Sequence, residues 1–160
     1  MFTGKILSIH ITPAEGQAMQ SIESVQAVAG KGLQGDRYFC HQTALSTAND
    51  PARQVTLIES EAIQAVQREA SISLAPGDSR RNLVTQGVPL NHLVGKEFNV
   101  GKVKLRGIRL CEPCKHLSEM TEPGVLPALV HRGGLRAEIL TSGIIQIGDI
   151  IGAVTDQPDR

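Results

Sequence analysis

The stretch Glu97-Phe98-Asn99-Val100-Gly101-Lys102-Val103-Lys104-Leu105-Arg106-Gly107-Ile108-Arg109-Leu110 decides the fold class. Glu97–Val100 reads as a short strand, Gly101 as a turn, and Lys102–Leu110 as a second strand punctuated by Gly107. The same grammar recurs on both sides. Upstream, Lys5–Ile11 alternates as a strand, and Val25–Ala29 is a shorter one closed by Gly30-Lys31-Gly32. Arg53–Ile58 is strand-like. Ser60 is placed to cap a helix over Glu61–Ala70, with Ala62, Ile63, Val66 and Ala70 on one face. Leu83–Thr85 returns to strand, and Pro89–Val94 reads as a single helical turn. Downstream, Arg136–Leu140 and Ile144–Val154 continue the series among Gly143, Gly148 and Gly152. Short strands parted by glycine turns predict a mainly β, β-rich α+β chain built as a barrel or sandwich. With one good helix, a doubly wound α/β fold is a poor match. The pattern predicts one domain over 1–155 and a loose tail at 156–160.

Composition fits that reading. The chain has 160 residues, and 41% are hydrophobic. Aromatics are 2%, namely Phe2, Tyr38, Phe39 and Phe98, so the core must be aliphatic. Many of its residues are β-branched, which favours strands. Sixteen Lys+Arg against sixteen Asp+Glu leave no bulk field to recruit nucleic acid or an anionic membrane. A stacking platform for single strands lacks its aromatic faces. No segment approaches the ~20 apolar residues that span a bilayer. No secretory apolar run follows Met1, and three cysteines are an odd count for a disulfide framework. These features predict a soluble, cytoplasmic protein with no nucleic-acid or membrane partner.

Leu110-Cys111-Glu112-Pro113-Cys114-Lys115-His116 carries the most chemistry. Cys-x-x-Cys with a nearby His is half a zinc site, with Cys40 and His41 as the pair to complete it. It also fits a redox pair, although the βαβ context is missing. The plain alternative is a small buried hydrophobe at one or both cysteines. Cys114 stands apart because Pro113 ends the strand before it and a helix over Lys115–Met120 follows. A thiolate there gains from amide dipoles, Lys115 and His116, and such a thiolate is a nucleophile or a soft-metal ligand. Cys111 is expected to face the core.

Arginines gather at element boundaries: Arg37 after Gly35-Asp36, Arg53 at a strand start, Arg80-Arg81-Asn82 at another, and Arg132 and Arg136 around Gly133-Gly134. Guanidiniums bind phosphate bidentately and glycines let the backbone approach. Any one of them alone reads more readily as a solvated surface arginine beside a structural turn. Together they predict an anionic ligand held by several loops.

The order Gly32-Leu33-Gln34-Gly35-Asp36-Arg37, Arg53-Gln54-Val55, Arg80-Arg81-Asn82-Leu83-Val84, Leu93-Val94-Gly95, Cys111-Glu112-Pro113-Cys114, Arg132 to Ala137 and Gly148-Asp149 resembles the MOSC domain family. This is the C-terminal module of molybdenum cofactor sulfurases, also known as small free-standing proteins. The resemblance runs from about Gly4 to Gly152, nearly the whole chain. It implies a barrel-like β fold with a few short helices and a site for molybdenum cofactor, a metal held by a phosphate-bearing pterin. At family level it also carries pyridoxal phosphate binding. The family's cysteine falls on Cys114, as catalytic residue and molybdenum ligand. Its Arg-x-Asn contact falls on Arg80 and Asn82, with Arg81 between, and Arg37 is expected to face the cofactor. Arg53, Arg132 and Arg136 complete the expected cofactor-binding set. The chain departs from the family in two ways: it shows no counterpart of the N-terminal barrel of the mitochondrial N-hydroxylamine reductases, and Cys111 is not general.

Three functions follow from the resemblance. One is an oxidoreductase that reduces small N-hydroxylated compounds, fed by an electron-donor protein. Another is a sulfur carrier or transferase that holds a persulfide on Cys114, loaded by a cysteine desulfurase. The third is a non-catalytic carrier of the cofactor.

Overall fold

The computed structural model describes residues 2–39 and 50–154. Its strands are β1 (Thr3–Ile11), β2 (Gln20–Ile22), β3 (Ser24–Val28), β4 (Gly32–Leu33), β5 (Val55–Glu59), β6 (Leu83–Gln86), β7 (Glu97–Val100), β8 (Val103–Leu110), β9 (Leu135–Ile139), β10 (Gly143–Gln146) and β11 (Ile150–Ala153). Three short helices accompany them: α1 (Ser60–Ala70), α2 (Lys115–Met120) and α3 (Val125–Leu129). The chain is therefore mainly β.

Seven strands close a barrel in the order β1-β11-β7-β8-β9-β5-β6, with β6 returning to β1. The opening stretch forms one hairpin of it, Val100 opposite Val103. The seam joins the first strand to the last, Thr3 opposite Gly152. Only β5 and β6 run parallel, and α1 is their crossover. β2 extends β1 beyond the ring, and β10, β3 and β4 form a separate three-stranded sheet.

β5 shows why the barrel needs the helices. Val55, Thr56, Leu57 and Ile58 are all buried, so this strand has no solvent face. Val55 and Leu57 join Ile6, Leu83, Phe98 and Leu135 inside the barrel. Ile58 faces outward, under Ile63 and Val66 of α1 and Leu129 of α3. That second cluster puts α2, and with it Cys114, at one end of the ring.

Several sequence expectations are corrected in detail. Ser60 is not the cap of α1: β5 runs straight into the helix, so extended Glu59 holds the N-cap position and the Ser60 hydroxyl donates to Glu61 Oε1 at 3.1 Å. Ala70 is exposed, and Ala65 joins the buried face instead. Ile144–Val154 is two strands, because a turn at Gly148 (φ +91°) sends β10 and β11 into different sheets. The tail 156–160 and the domain edge at 155 lie outside the described residues.

His10 on β1 is 3% exposed, its Nε2 2.8 Å from Ser8 Oγ and its Nδ1 3.0 Å from Ser21 Oγ. Burial holds the imidazole below its usual 6.5, with Asp78 pulling the other way. The folded state therefore takes up this proton at lower pH than the unfolded chain does. Stability from this group is full above 6.5 and falls as pH drops below it. Thermal melts across that window should show Tm dropping with acid, with a shallower slope in His10→Gln; equal slopes would place the pH dependence elsewhere.

Candidate anion and thiol site

A cleft of about 200 Å³ opens at the α2 end of the barrel. Its walls carry five arginines (Arg37, Arg53, Arg80, Arg81 and Arg136) against two carboxylates, Glu15 and Glu112, with Tyr38, Cys114, His116 and Leu117. Five of the seven residues expected to bind an anion thus meet in one place.

Backbone turns deliver them. After β8, the Cys111 N–H donates to Gly134 O at 2.7 Å, and the loop presses against Gly133, where a Cβ would lie 2.5 Å from Cys111 O. This fold-back buries Cys111 to 1% and leaves Cys114 exposed at the N-cap position of α2. The expected split between the two cysteines is what the structure has.

Arg81 fixes that loop. It is 7% exposed, and its Nε donates to Gly133 O at 2.8 Å while Nη2 donates to Cys111 O at 2.9 Å and Glu112 O at 3.4 Å. Nη1 donates to Ser79 O at 3.3 Å. Its fork is thus spent on backbone, so Arg81 positions the thiol loop.

Arg80 is the opposite case. It sits in the left-handed region (φ +61°), closing a 3-10 turn by donating its N–H to Gly77 O. The side chain is buried at 6% exposure, and Nη1 donates to Gln17 O at 2.7 Å. Nη2 has no partner among the described residues. Burial and then the neighbouring Arg37 lower its pKa, against Tyr38, Asp36 and Glu15. A buried cation with an idle donor is a vacancy for an anion.

Arg37 donates to Asp36 Oδ1 at 3.3 Å and Arg80 O at 3.2 Å, and lies 4.5 Å over the Tyr38 ring. Asp36 is fully buried; burial raises its carboxyl, while Arg37 and three backbone N–H groups act to lower it. Arg136 reaches inward from β9. Burial acts to lower its pKa, but Cys111, a hydrogen bond with Tyr38, and Cys114 outweigh it and hold the guanidinium above its usual value. Arg53 pairs with Asp50 at 3.4 Å.

Two expected residues stand elsewhere. Asn82 is fully buried; its Nδ2 donates to His10 O at 3.0 Å and its Oδ1 accepts from Thr56 N and Oγ1, tying β1, β5 and β6 together. Arg132 donates to Ala128 O at 2.7 Å and pairs with Glu69 at 2.8 Å, linking α3 to α1. Cys40 and His41, the expected completion of a zinc site, lie outside the described residues. Among the described residues no three His, Cys, Asp or Glu side chains gather as a metal-ligand set. Tyr38 was not singled out by sequence, although it directly follows the Gly35-Asp36-Arg37 motif.

The donor set fits a phosphate-bearing, soft-metal group: a buried guanidinium with one unpartnered amino group for an oxyanion, and an exposed thiol on the same cleft. Comparison with known proteins agrees with the fold. The family model described as MOSC domain matches residues 34–152. No curated protein matches. Among solved structures, the YuaD protein from Bacillus subtilis superposes with a TM-score of 0.77 at 18% identity, covering 94% of this chain and 97% of that one. YiiM from Geobacillus stearothermophilus gives 0.73 at 14% identity over 95% and 75%. YiiM from Escherichia coli gives 0.64 at 16% over 99% and 72%.

Proposed function

This chain belongs to the MOSC domain family, and from that premise we propose that its cleft binds molybdenum cofactor, with Cys114 as the metal's protein ligand, in an oxidoreductase acting on small N-hydroxylated compounds. The observation that carries the reading is the idle Nη2 of buried Arg80 on the same cleft as the exposed Cys114 thiol. When bound, the group supplies a two-electron centre able to take an oxygen atom.

The chain's own residues do the rest. Arg80, with Arg37, Arg53 and Arg136 beside it, would hold the phosphate and pterin oxygens by charge-assisted hydrogen bonds. Arg81 keeps the Cys111–Cys114 loop in place through backbone carbonyls. Asn82 acts from behind by locking β1 to β5. Glu112 on the cleft wall accepts from His131 N and Nδ1, at 2.7 and 2.9 Å, which ties the thiol loop to the turn before β9. Reducing an N–hydroxyl group consumes two protons and two electrons and releases water, so a separate redox protein would supply the electrons. Cytoplasmic residence belongs to this proposal; among the described residues no helix is long and apolar enough to cross a membrane.

The exposure of Cys114 beside a buried Cys111 favours one second reading. Among the described residues Cys114 is the exposed thiol, and such a thiol suits a persulfide carrier loaded by a cysteine desulfurase.

Purified chain should contain molybdenum and pterin. Cys114→Ser should keep the fold, because the side chain is exposed, yet lose bound molybdenum at least about tenfold, the scale on which metal sites respond to lost support. Full metal retention in that variant would end the ligand assignment. A gain of about 32 Da at Cys114 after desulfurase treatment, without metal, would select the persulfide carrier. Cofactor bound without turnover of any N-hydroxylated compound would select a carrier of the cofactor.

A further inference from the structure

Tyr38, the only tyrosine of the chain, stands half-buried on the wall of the thiol cleft. Its backbone N–H donates to Oδ2 of the fully buried Asp36 at 3.4 Å. The Arg37 guanidinium lies 4.5 Å over its ring, and Nη2 of the same arginine reaches within 3.5 Å of its hydroxyl oxygen. Arg136, coming from β9, hydrogen-bonds the same phenol, and Arg80, from the turn before β6, interacts with it electrostatically. Cations from three separate segments thus converge on one hydroxyl. A guanidinium has donors only, so the contacts from Arg37 and Arg136 occupy the phenol oxygen and leave its hydrogen unspent. The same positive charge turns the O–H dipole away from the arginines, toward an acceptor. An anionic oxygen in the cleft is the acceptor that this charge also attracts.

We propose that Tyr38 is a ligand-binding residue of the cleft, its hydroxyl donating a hydrogen bond to an unprotonated oxygen of a phosphate-type oxyanion that Arg37, Arg80 and Arg136 surround. This corner of the cleft offers hydrogens only, so it suits a group with several hydrogen-free oxygens and not a neutral hydroxyl compound. The inference rests on the cleft being an anion site, as the cofactor reading requires, but it needs neither the metal nor the thiol.

The test uses inorganic phosphate on the full chain. With one tyrosine and no tryptophan, tyrosine emission reports on residue 38 alone, and phosphate should change it saturably. A single 3-fluorotyrosine in the otherwise unaltered chain should shift its fluorine resonance along the same curve. Tyr38→Phe keeps the ring beneath Arg37 and removes only the hydroxyl. By calorimetry it should bind phosphate at least about tenfold more weakly, the scale of one hydrogen bond to a charged group, with its phosphate-free melting temperature unchanged. Equal phosphate affinity in Tyr38→Phe and the parent, with binding lost in Arg80→Met, would overturn the role of Tyr38 and leave the anion cleft standing. No saturable binding by the parent up to on the order of 20 mM would overturn both. A chain that holds no molybdenum or pterin yet binds phosphate through Tyr38 would support the inference while ending the cofactor reading.

Discussion

Replacing Arg81 by methionine is expected to lower the unfolding free energy by about 3–5 kcal/mol, because it strands buried carbonyls that the guanidinium now satisfies. Methionine fills similar space, so loss of volume is a minor part of the effect. Four carbonyls are at stake, on Ser79, Cys111, Glu112 and Gly133, drawn from three separate loops. Water cannot replace the donor easily, since the side chain is only 7% exposed. Arg81→Lys should recover a minor part, because one ammonium cannot span a fork that grips three loops. Urea midpoints at unchanged m-value are the measurement. A methionine variant within about 0.5 kcal/mol of the parent would mean that the loops hold themselves. The clamp also predicts a kinetic signature: Cys114 should be alkylated at an altered rate in the methionine variant, since its loop loses its anchor.

Gly134→Ala should cost more than about 4 kcal/mol, a large share of the roughly 5–15 kcal/mol that holds a domain together. Gly134 has φ +116°, and a Cβ there would overlap the Leu57 carbonyl of the neighbouring strand β5. Backbone atoms on both sides are fixed by the barrel, so neither can give. Gly148 offers the matched control: φ is +91°, yet a Cβ would meet nothing within 4 Å. Gly148→Ala should therefore cost only the dihedral penalty, about 1–2 kcal/mol. Equal costs in the two variants, measured by thermal or urea unfolding, would show that dihedral strain alone governs Gly134.

The strands that were readable in sequence are those whose apolar runs are bounded by glycine, such as Glu97–Val100 and Val103–Leu110. What sequence could not show was closure, because the pairing of β1 with β11 depends on curvature summed around the ring. The two-residue β4 and the three-residue β2 are too short to carry a period. α3 hides behind Pro123, Gly124 and Pro127, which read as a loop. The site was half visible. Arginine beside glycine marked the loops, and five of these side chains do meet in the cleft. Arg132 and Arg136 flank the same two glycines, yet Arg132 turns to Glu69 while Arg136 enters the site. Which side of the barrel end a side chain takes is decided by strand twist and register, and no local pattern encodes that. Asn82 illustrates a different gap: it stands in the Arg80-Arg81-Asn82 motif, but its amide is spent on joining strands.

The seam between Thr3 and Gly152 has a consequence for how the molecule comes into being. Of the barrel strands, β1 is synthesised first and its partner β11 last. Every other barrel strand must wait, unclosed, for that final segment. Local hairpins such as β7–β8 can form during synthesis, but ring closure is a late, long-range event that pays its loop entropy at once. Until then both edges of the growing sheet are open to other chains. Lys5, the one exposed charged side chain of the first strand, stands guard over one of those edges during that interval.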